Sequence, residues 1–155
     1  MTPARFQDAL PAKLLYDTQR DMWVRPLGDG RVEIGATAFG LHLAGEVIAF
    51  TPKPIGAEID LGRGLGTIET GKTVLAVHCP LSLQLDEANE AAEENAALLE
   101  RAPYGAGWMI RGKPRDWASE QQRLVDAAAY RAHCLSIAPE ADISVSVAGS
   151  EPESA

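Results

Sequence analysis

The sequence predicts a mostly β domain with appended helices, built as a small β-sandwich. Three observations support this fold class. Short β-prone runs are separated by glycine and proline turns, helix-forming segments follow them near the C-terminus, and no internal repeat is present. At 155 residues the chain is long enough to bury one core. We expect a single domain over 1–137 and a flexible acidic tail over 138–155, because the tail combines proline, serine and glutamate without an aromatic residue.

The strand predictions rest on alternating or β-branched runs that end at turn residues. The first pair is the clearest, because Gly28-Asp29-Gly30 supplies turn chemistry between two such runs. Residues 6–15 are mixed and fit a short helix or a loop. The predicted strands cover residues 22–27, 31–35, 45–50, 65–69, 73–77, 81–85 and 108–111, with a brief helical turn over 37–43.

Two later segments predict helices. Residues 87–102 are rich in Ala, Glu and Leu and contain no Gly or Pro. Residues 116–134 form the strongest helix prediction, with Asp116 or Ser119 as N-cap. One face of this second helix would carry Trp117, Leu124, Ala128 and Arg131. In the tail, residues 143–147 alternate polar and apolar side chains, which also fits an edge strand.

The composition excludes several classes of function. The formal charge is −8, from 22 acidic and 14 basic residues, and no Lys/Arg cluster occurs. Nucleic acids and anionic membranes are therefore not expected as partners, because basic patches bind both. No apolar stretch is long enough to span a bilayer, and the N-terminus lacks a signal-peptide core. The two cysteines, Cys79 and Cys134, form no metal or redox motif, so we expect a reduced, cytoplasmic protein.

One segment supports two incompatible structures. Gly66–Thr73 matches the P-loop pattern in full, which would make the chain a nucleotide-binding protein. The same residues also predict a β-hairpin with Lys72 at its tip and Gly71 at positive φ. A P-loop needs a buried strand before its first glycine and a helix from its lysine. Residues 60–65 are too polar for that strand, and Pro80 would end the helix early. The hairpin is favoured, and the P-loop remains a remote alternative.

Several landmarks around the hairpin have spacings that match one protein family. They are Met22-Trp23-Val24-Arg25, Glu69-Thr70-Gly71-Lys72, Pro80, Asn89-Glu90-Ala91, Asn95, Pro103-Tyr104-Gly105-Ala106-Gly107-Trp108 and Leu124–Tyr130. With these residues the chain resembles the glycine cleavage H protein family over most of its length. The resemblance implies a lipoyl-domain barrel-sandwich hybrid, with the modified lysine at a hairpin tip and a C-terminal helix.

The resemblance also implies a function. Lys72 would carry lipoate through an amide bond, and Glu69, Thr70 and Gly71 would shape the turn and help a lipoate ligase to recognise it. The chain would then be a carrier that serves partner enzymes, and not an enzyme itself. In glycine cleavage the arm would hold an aminomethyl group.

The sequence departs from the family pattern in ways that suggest a different cargo. Gly71 stands where glycine cleavage proteins usually have Val, and Asp21 stands where they have His. The chain resembles instead the H-like lipoate-binding proteins of heterodisulfide-reductase-like sulfur oxidation. The segments that carry this second resemblance are Leu14–Asp17, Asp29-Gly30, Leu43–Gly45, Thr51–Lys53 and Glu69–Lys72. It implies an arm that passes a sulfur-containing intermediate between sulfur-delivering proteins and a heterodisulfide-reductase-like complex, with glycine cleavage components as the alternative partners.

Overall fold

A computed structural model of the chain describes residues 5–147, and it is mostly β, as the sequence predicts. The strands are β1 (Gln7–Pro11), β2 (Leu15–Asp17), β3 (Met22–Pro26), β4 (Val32–Ala36), β5 (Val47–Pro52), β6 (Glu58–Ile59), β7 (Gly64–Thr70), β8 (Val74–His78), β9 (Leu83–Ala88), β10 (Ile110–Pro114) and β11 (Asp142–Ser146). The helices are α1 (Ala38–Ala44), α2 (Glu90–Glu94), α3 (Ala97–Arg101), α4 (Trp117–Glu120) and α5 (Ala127–Ile137), with a 3₁₀ turn at Gln121–Arg123.

Two sheets enclose the main core. The larger has six strands in the order β2-β3-β4-β10-β9-β6, and the smaller has three in the order β5-β7-β8. Strand side chains alternate between faces, so each sheet turns one apolar row inward. Ile34 and Leu83 of the larger sheet and Phe50 and Leu65 of the smaller sheet belong to one buried cluster. The small sheet, which contains Lys72's hairpin, is thus anchored on a packed core.

The N-terminal segment and part of the tail form a third, two-stranded sheet. β1 and β11 pair in parallel, with Gln7 opposite Asp142. Leu10 and Ile143 are buried in a second cluster beneath α5. The prediction of a helix or loop over 6–15 is therefore wrong. The flexible-tail prediction is wrong over Asp142–Ser146, where the alternating pattern forms the edge strand instead. The rest of the predicted tail, beyond residue 147, lies outside the described residues.

Both long helix predictions are wrong in their extent. In residues 87–102 the chain stays in β9 to Ala88, and Asn95 then interrupts the helix with an extended backbone and accepts the Ala97 N–H. The second segment breaks where Val125 forms a β-bridge with Tyr16. Asp126, and neither Asp116 nor Ser119, caps α5 through its side chain.

The broken second helix changes which residues are buried. The predicted single face of Trp117, Leu124, Ala128 and Arg131 is divided between separate elements. On α5 the buried residues are Ala127, Tyr130 and Cys134. Within residues 5–147, no helix is long and apolar enough to cross a bilayer.

Candidate functional site

The hairpin of β7 and β8 projects Lys72 from the small sheet. The two strands are antiparallel, and Glu69 pairs with Val74 next to the turn. β-Branched residues on both strands favour this extended pairing over a helix. Gly71, Lys72 and Thr73 are all exposed. The structure therefore places a lysine at the tip of a hairpin, as predicted.

Thr70 holds the turn together. Its side chain is buried, and its Oγ1 accepts the backbone N–H groups of Lys72 and Thr73, each at 3.3 Å. Its own N–H donates to the Thr73 carbonyl at 2.8 Å. A threonine hydroxyl that bonds the backbone two and three residues on is a common way to stabilise a tight turn. Thr70 therefore fixes the direction in which Lys72 leaves the sheet.

Gly71 does not behave as predicted. The expectation of positive φ is wrong, because the positive-φ glycines among the described residues are Gly30, Gly45, Gly56 and Gly62. A Cβ atom built on Gly71 meets nothing within 4 Å. The turn therefore needs no glycine at this position, and the family's usual valine has room there.

The Gly66–Thr73 segment excludes a P-loop. Strand β7 runs through most of it, and after Lys72 the chain enters β8 and not a helix. A P-loop binds phosphate with backbone N–H groups at the start of a helix, and no such helix exists here. The remote nucleotide-binding alternative is therefore contradicted by the structure.

Glu69 lies on the outer face of the small sheet, among small side chains. It is exposed, and no hydrogen bond or ion pair to it occurs among the residues that the structure describes. The residues of this face are arranged in rows across the three strands. One row is Ala49, Glu69 and Val74, and the next is Thr51, Thr67 and Ala76. This exposed face, with one charge beside Lys72, is accessible to a partner protein.

A cavity of about 150 Å³ lies beside the hairpin. Ile68 and Leu75 of the hairpin line it together with Leu41 and Leu43 of α1. The titratable residues that line it are Arg20, Asp21 and His78. Sequence reasoning did not find this cavity, because its residues come from four separate segments. The only sequence signal was Asp21, which departs from the family pattern.

Asp21 is held in a strained backbone conformation at the edge of this cavity. Its φ is 57°, which is unusual for a residue other than glycine. Its carbonyl accepts the Thr37 N–H at 3.0 Å, and its Oδ1 accepts the Tyr130 hydroxyl at 2.7 Å. Burial raises the pKa of the Asp21 carboxyl. Gly40 leaves room for this side chain, because a Cβ there would lie 2.8 Å from the Asp21 Cβ.

The two cysteines, Cys79 and Cys134, are free thiols and both are buried. Burial raises the pKa of the Cys79 thiol to about 12 and that of Cys134 to about 11. Thiols with pKa values this high are rarely ionised near neutral pH, so they are poor nucleophiles. The described residues contain no group of His, Cys, Asp and Glu that could hold a metal ion.

Comparisons with known proteins agree with the geometry of the hairpin. The profile of the glycine cleavage H-protein family matches residues 14–137. The chain belongs to the glycine cleavage H protein family. It is 37% identical to a glycine cleavage system H protein of Bacteroides thetaiotaomicron, over 79% of this chain and 94% of that one. It is 36% identical to glycine cleavage system H protein 5 of Aquifex aeolicus, over 76% and 82%.

A solved structure supports the fold assignment. The crystal structure of a glycine cleavage system H protein from Mycobacterium marinum matches with a TM-score of 0.69 at 27% identity, over 79% of this chain and 97% of that one. The barrel-sandwich lipoyl fold is therefore confirmed. Glycine cleavage H proteins are lipoyl carriers with lipoate attached covalently to a lysine. This chain is accordingly a lipoyl carrier protein and not an enzyme.

Proposed function

We propose that Lys72 is the lysine that carries lipoate in this chain. The observation that carries this proposal is its position at the exposed tip of the hairpin. The sequence has three other lysines, Lys13, Lys53 and Lys113. Lys53 lies between two prolines, and Lys113 lies within β10. Neither occupies a turn between paired strands.

The residues around Lys72 fit an attached arm. The Gly71 position is open to solvent, so the surroundings place no steric limit on a group that leaves the tip. Thr70 keeps the turn fixed, and Glu69 supplies the charge by which a lipoate ligase would recognise it. Lipoate, when attached, supplies a dithiol–disulfide pair on a flexible stem. The extended stem reaches about 14 Å, far enough to enter a partner's active site.

The first candidate cargo is the aminomethyl group of glycine cleavage. The names of the relatives from Bacteroides thetaiotaomicron and Aquifex aeolicus support it, as does the name of the matching crystal structure. In this role the arm would serve glycine cleavage components. The comparisons favour this candidate over the next one.

The second candidate is a sulfur-containing intermediate of cytoplasmic sulfur oxidation. The Glu69–Lys72 turn and the other segments shared with H-like lipoate-binding proteins support it. Arg20 also lines the cavity beside the hairpin, and its guanidinium would repel a cationic aminomethyl group there. Partners would then be sulfur-delivering proteins and a heterodisulfide-reductase-like complex.

Intact-mass spectrometry tests the attachment site. We expect wild-type protein co-expressed with a cognate lipoate ligase to gain one lipoyl group, and Lys72→Arg to gain none. Lys53→Arg and Lys113→Arg are matched controls that should remain modified, because both lysines are also exposed. Modification of the Lys72→Arg variant, or an unmodified wild type, would refute the proposal.

A loading assay separates the two cargoes. The lipoylated chain is incubated with glycine and the glycine decarboxylase component, or with a persulfide-bearing sulfur-delivering protein. An aminomethyl adduct on the arm in the first mixture supports glycine cleavage. A sulfur adduct in the second mixture, without an adduct in the first, supports sulfur oxidation.

A further inference from the structure

We propose that Asp21, Tyr130 and Thr37 form a proton-sensitive polar ring that holds the N-terminus of α1, and that the ring is complete only when the Asp21 carboxyl is protonated. Asp21 is then a positioning residue, because it acts on α1 through the hydroxyls of the other two residues. The proposal does not depend on the attachment of a group to Lys72.

α1 is the element through which the two buried clusters meet. Its Leu41 belongs to the cluster between the two sheets, and its Phe39 belongs to the cluster beneath α5. The helix has only 7 residues, so its own hydrogen bonds contribute little stability. Its position therefore depends on packing and on the bonds that fix its N-terminus. Because Leu41 and Leu43 line the cavity beside the hairpin, these bonds also determine how firmly that side of the cavity is held.

Three contacts between oxygen atoms make up the polar ring. The Asp21 Oδ1 lies 2.7 Å from the Tyr130 hydroxyl oxygen, which in turn lies 2.7 Å from the Thr37 Oγ1. The Thr37 Oγ1 lies 3.2 Å from the Asp21 carbonyl oxygen. Asp21 thus contributes both its side chain and its carbonyl, from a backbone with a φ of 57° that aspartate and asparagine tolerate better than most residues.

The polar ring has too few protons when Asp21 is ionised. A carboxylate and a carbonyl only accept hydrogen bonds, and each hydroxyl supplies one proton. The hydroxyls of Tyr130 and Thr37 therefore supply two protons for three contacts. Whichever way these two protons point, one contact between oxygen atoms is left without a proton. An unmade bond of this kind in a buried site weakens the hold on the helix.

A proton on the Asp21 Oδ1 supplies the missing bond. Asp21 then donates to the Tyr130 oxygen, Tyr130 donates to the Thr37 Oγ1, and Thr37 donates to the Asp21 carbonyl. The Thr37 Oγ1 still accepts the Gly40 N–H at 3.0 Å, so the cap of α1 is kept. Protonation therefore adds one hydrogen bond at the start of α1 and removes a partly buried charge.

The surroundings of Asp21 favour the protonated form. Burial is the main reason why the pKa of its carboxyl is raised, and the negative charge of Asp17 adds to the rise. The hydrogen bond from Tyr130 and the charge of His133 oppose it. The native state therefore holds this proton more tightly than the unfolded chain does. The contribution of the ring is greatest below pH 3.8, and it decreases as the pH rises through the native pKa.

Titratable or charged groups face Asp21 from several neighbouring segments, whereas α1 meets it with the uncharged Thr37 and Gly40. These groups are Tyr130, His133 and Cys134 of α5, Asp17 of β2, Arg20 of the following turn, and His78 of β8. Burial raises the pKa of the Cys134 thiol to about 11 and raises that of the Tyr130 hydroxyl as well, so both keep their protons near neutral pH. The histidines need control variants.

A second carboxyl is tied to the same end of α1 without a missing proton. The Tyr104 hydroxyl accepts the Ala38 N–H at 3.0 Å and donates to the Asp8 Oδ2. One hydroxyl proton is sufficient for this chain of bonds while Asp8 is ionised. Protonation of Asp8 therefore adds no bond to α1, although burial raises the pKa of this carboxyl too. Asp8 is thus a matched control for Asp21.

Hydrogen exchange measured by NMR between pH 4 and pH 8 tests the ring in the unlipoylated full chain. The amides of Leu41 and Gly45 donate to carbonyls one turn earlier and report the opening of α1. The Met109 amide, which donates to the Ile34 carbonyl, is the reference for the rest of the core.

We expect protection of the α1 amides, relative to the reference amide, to fall about fivefold as the pH rises, as the loss of one net hydrogen bond provides. The midpoint should coincide with that of the Asp21 carboxyl carbon shift. Relative protection that is constant, or that rises with pH, would overturn the proposal.

Two variants of the ring change its protons directly. Asp21→Asn supplies a permanent N–H donor to the Tyr130 oxygen and tolerates the same backbone. We expect strong protection of α1 at every pH, without a midpoint. Tyr130→Phe removes the middle of the ring and keeps the ring stacking on Tyr16, whose centroid lies 5.0 Å away. It should also abolish the pH dependence. A fivefold change that persists in either variant would overturn the proposal.

Control variants remove the other groups that titrate nearby. Asp8→Asn, His78→Gln and His133→Gln should each keep the fivefold change in relative protection, because the polar ring is intact in all three. If one of them abolishes the change and Asp21→Asn does not, that residue is the proton-binding group and the inference is wrong. Neither result bears on the attachment at Lys72, which intact mass decides separately.

Discussion

At the scale of single residues, Lys72 depends on neighbours that act through the backbone. Thr70 fixes the turn with its hydroxyl, and the neighbouring glycine contributes no required conformation. The sequence pattern directed attention to Gly71 and not to Thr70, because a glycine before a lysine is easily recognised in a motif. A hydroxyl that bonds two backbone groups gives no comparable signal in a sequence.

We expect Gly71→Val to leave the fold and the lipoylation of Lys72 unchanged, since a Cβ at position 71 meets no atom within 4 Å. Thermal unfolding and intact mass measure these two properties. Gly66→Ala in the same hairpin is the contrasting control, because its Cβ would lie 2.5 Å from the Thr51 carbonyl oxygen. It should destabilise the protein by about 2 kcal/mol, in the range for overpacking. A destabilised Gly71→Val variant would show that the turn does require glycine.

At the scale of secondary-structure elements, hairpins between neighbouring strands were predicted well from the sequence. Pairings between strands that are distant in the sequence were not. The hairpins β3–β4 and β7–β8 followed from adjacent runs and turn residues. The β1–β11 pair joins segments from opposite ends of the chain, so no local pattern could reveal it. The long helix failed for the same reason, because the bridge between Val125 and Tyr16 pulls its middle into an extended form.

Ile143→Ala tests whether β11 is an integral part of the fold. Ile143 is 3% exposed, so we expect the substitution to lower the free energy of unfolding by about 3 kcal/mol, as large-to-small core changes do. Urea unfolding measures it. Val147→Ala, at a residue that is 73% exposed, should change stability by less than about 0.5 kcal/mol. Similar effects of the two variants would mean that β11 contributes no packing.

Asp8 makes the stability of the β1–β11 sheet depend on pH. Burial raises the pKa of its carboxyl above 3.8, although Tyr104 donates a hydrogen bond to it. The native state therefore holds this proton more tightly than the unfolded chain does. The contribution of Asp8 is most favourable below pH 3.8, and it is lost as the pH rises through the native pKa.

Asp8→Asn removes that titration and keeps an acceptor for Tyr104. The free energy of unfolding of the variant, relative to wild type, should therefore increase between pH 3 and pH 7. Urea unfolding across this range measures the difference. Ser144→Ala on the exposed side of β11 removes no titratable group and should show no such trend. A difference that is constant with pH for Asp8→Asn would refute the prediction.

At the scale of the whole molecule, one buried carboxylate links three strands of the large sheet. Glu33 on β4 is 5% exposed and accepts from Arg25 on β3 and from Arg111 on β10. Arg111 also pairs with Glu87 at 2.9 Å. These charges cross the sheet on the side away from the hairpin. They therefore stabilise the large sheet and leave the face of the small sheet around Lys72 unaffected.

Glu33→Ala would leave two arginines without their shared partner. We expect it to cost about 3 kcal/mol, the lower end of the range for breaking a buried ion pair, while lipoylation of the folded protein continues. Calorimetric unfolding and intact mass test both parts. Glu58→Ala removes an exposed pair with Arg115 and should cost less than about 1 kcal/mol. A loss of lipoylation in folded Glu33→Ala would show that the ion pairs of the large sheet also affect the hairpin that carries Lys72.

The parallel pairing of β1 with β11 also has a consequence for biosynthesis. β1 ends at Pro11, and it leaves the ribosome well before its partner, which begins at Asp142. Leu10, which is fully covered in the folded protein, therefore lacks Ile143 of the same buried cluster until β11 has been synthesised. The hairpin with Lys72 can form well before this closure, since its contacts are local. A nascent chain stalled before residue 142 would expose the lysine on a formed turn while its first strand was still unpaired.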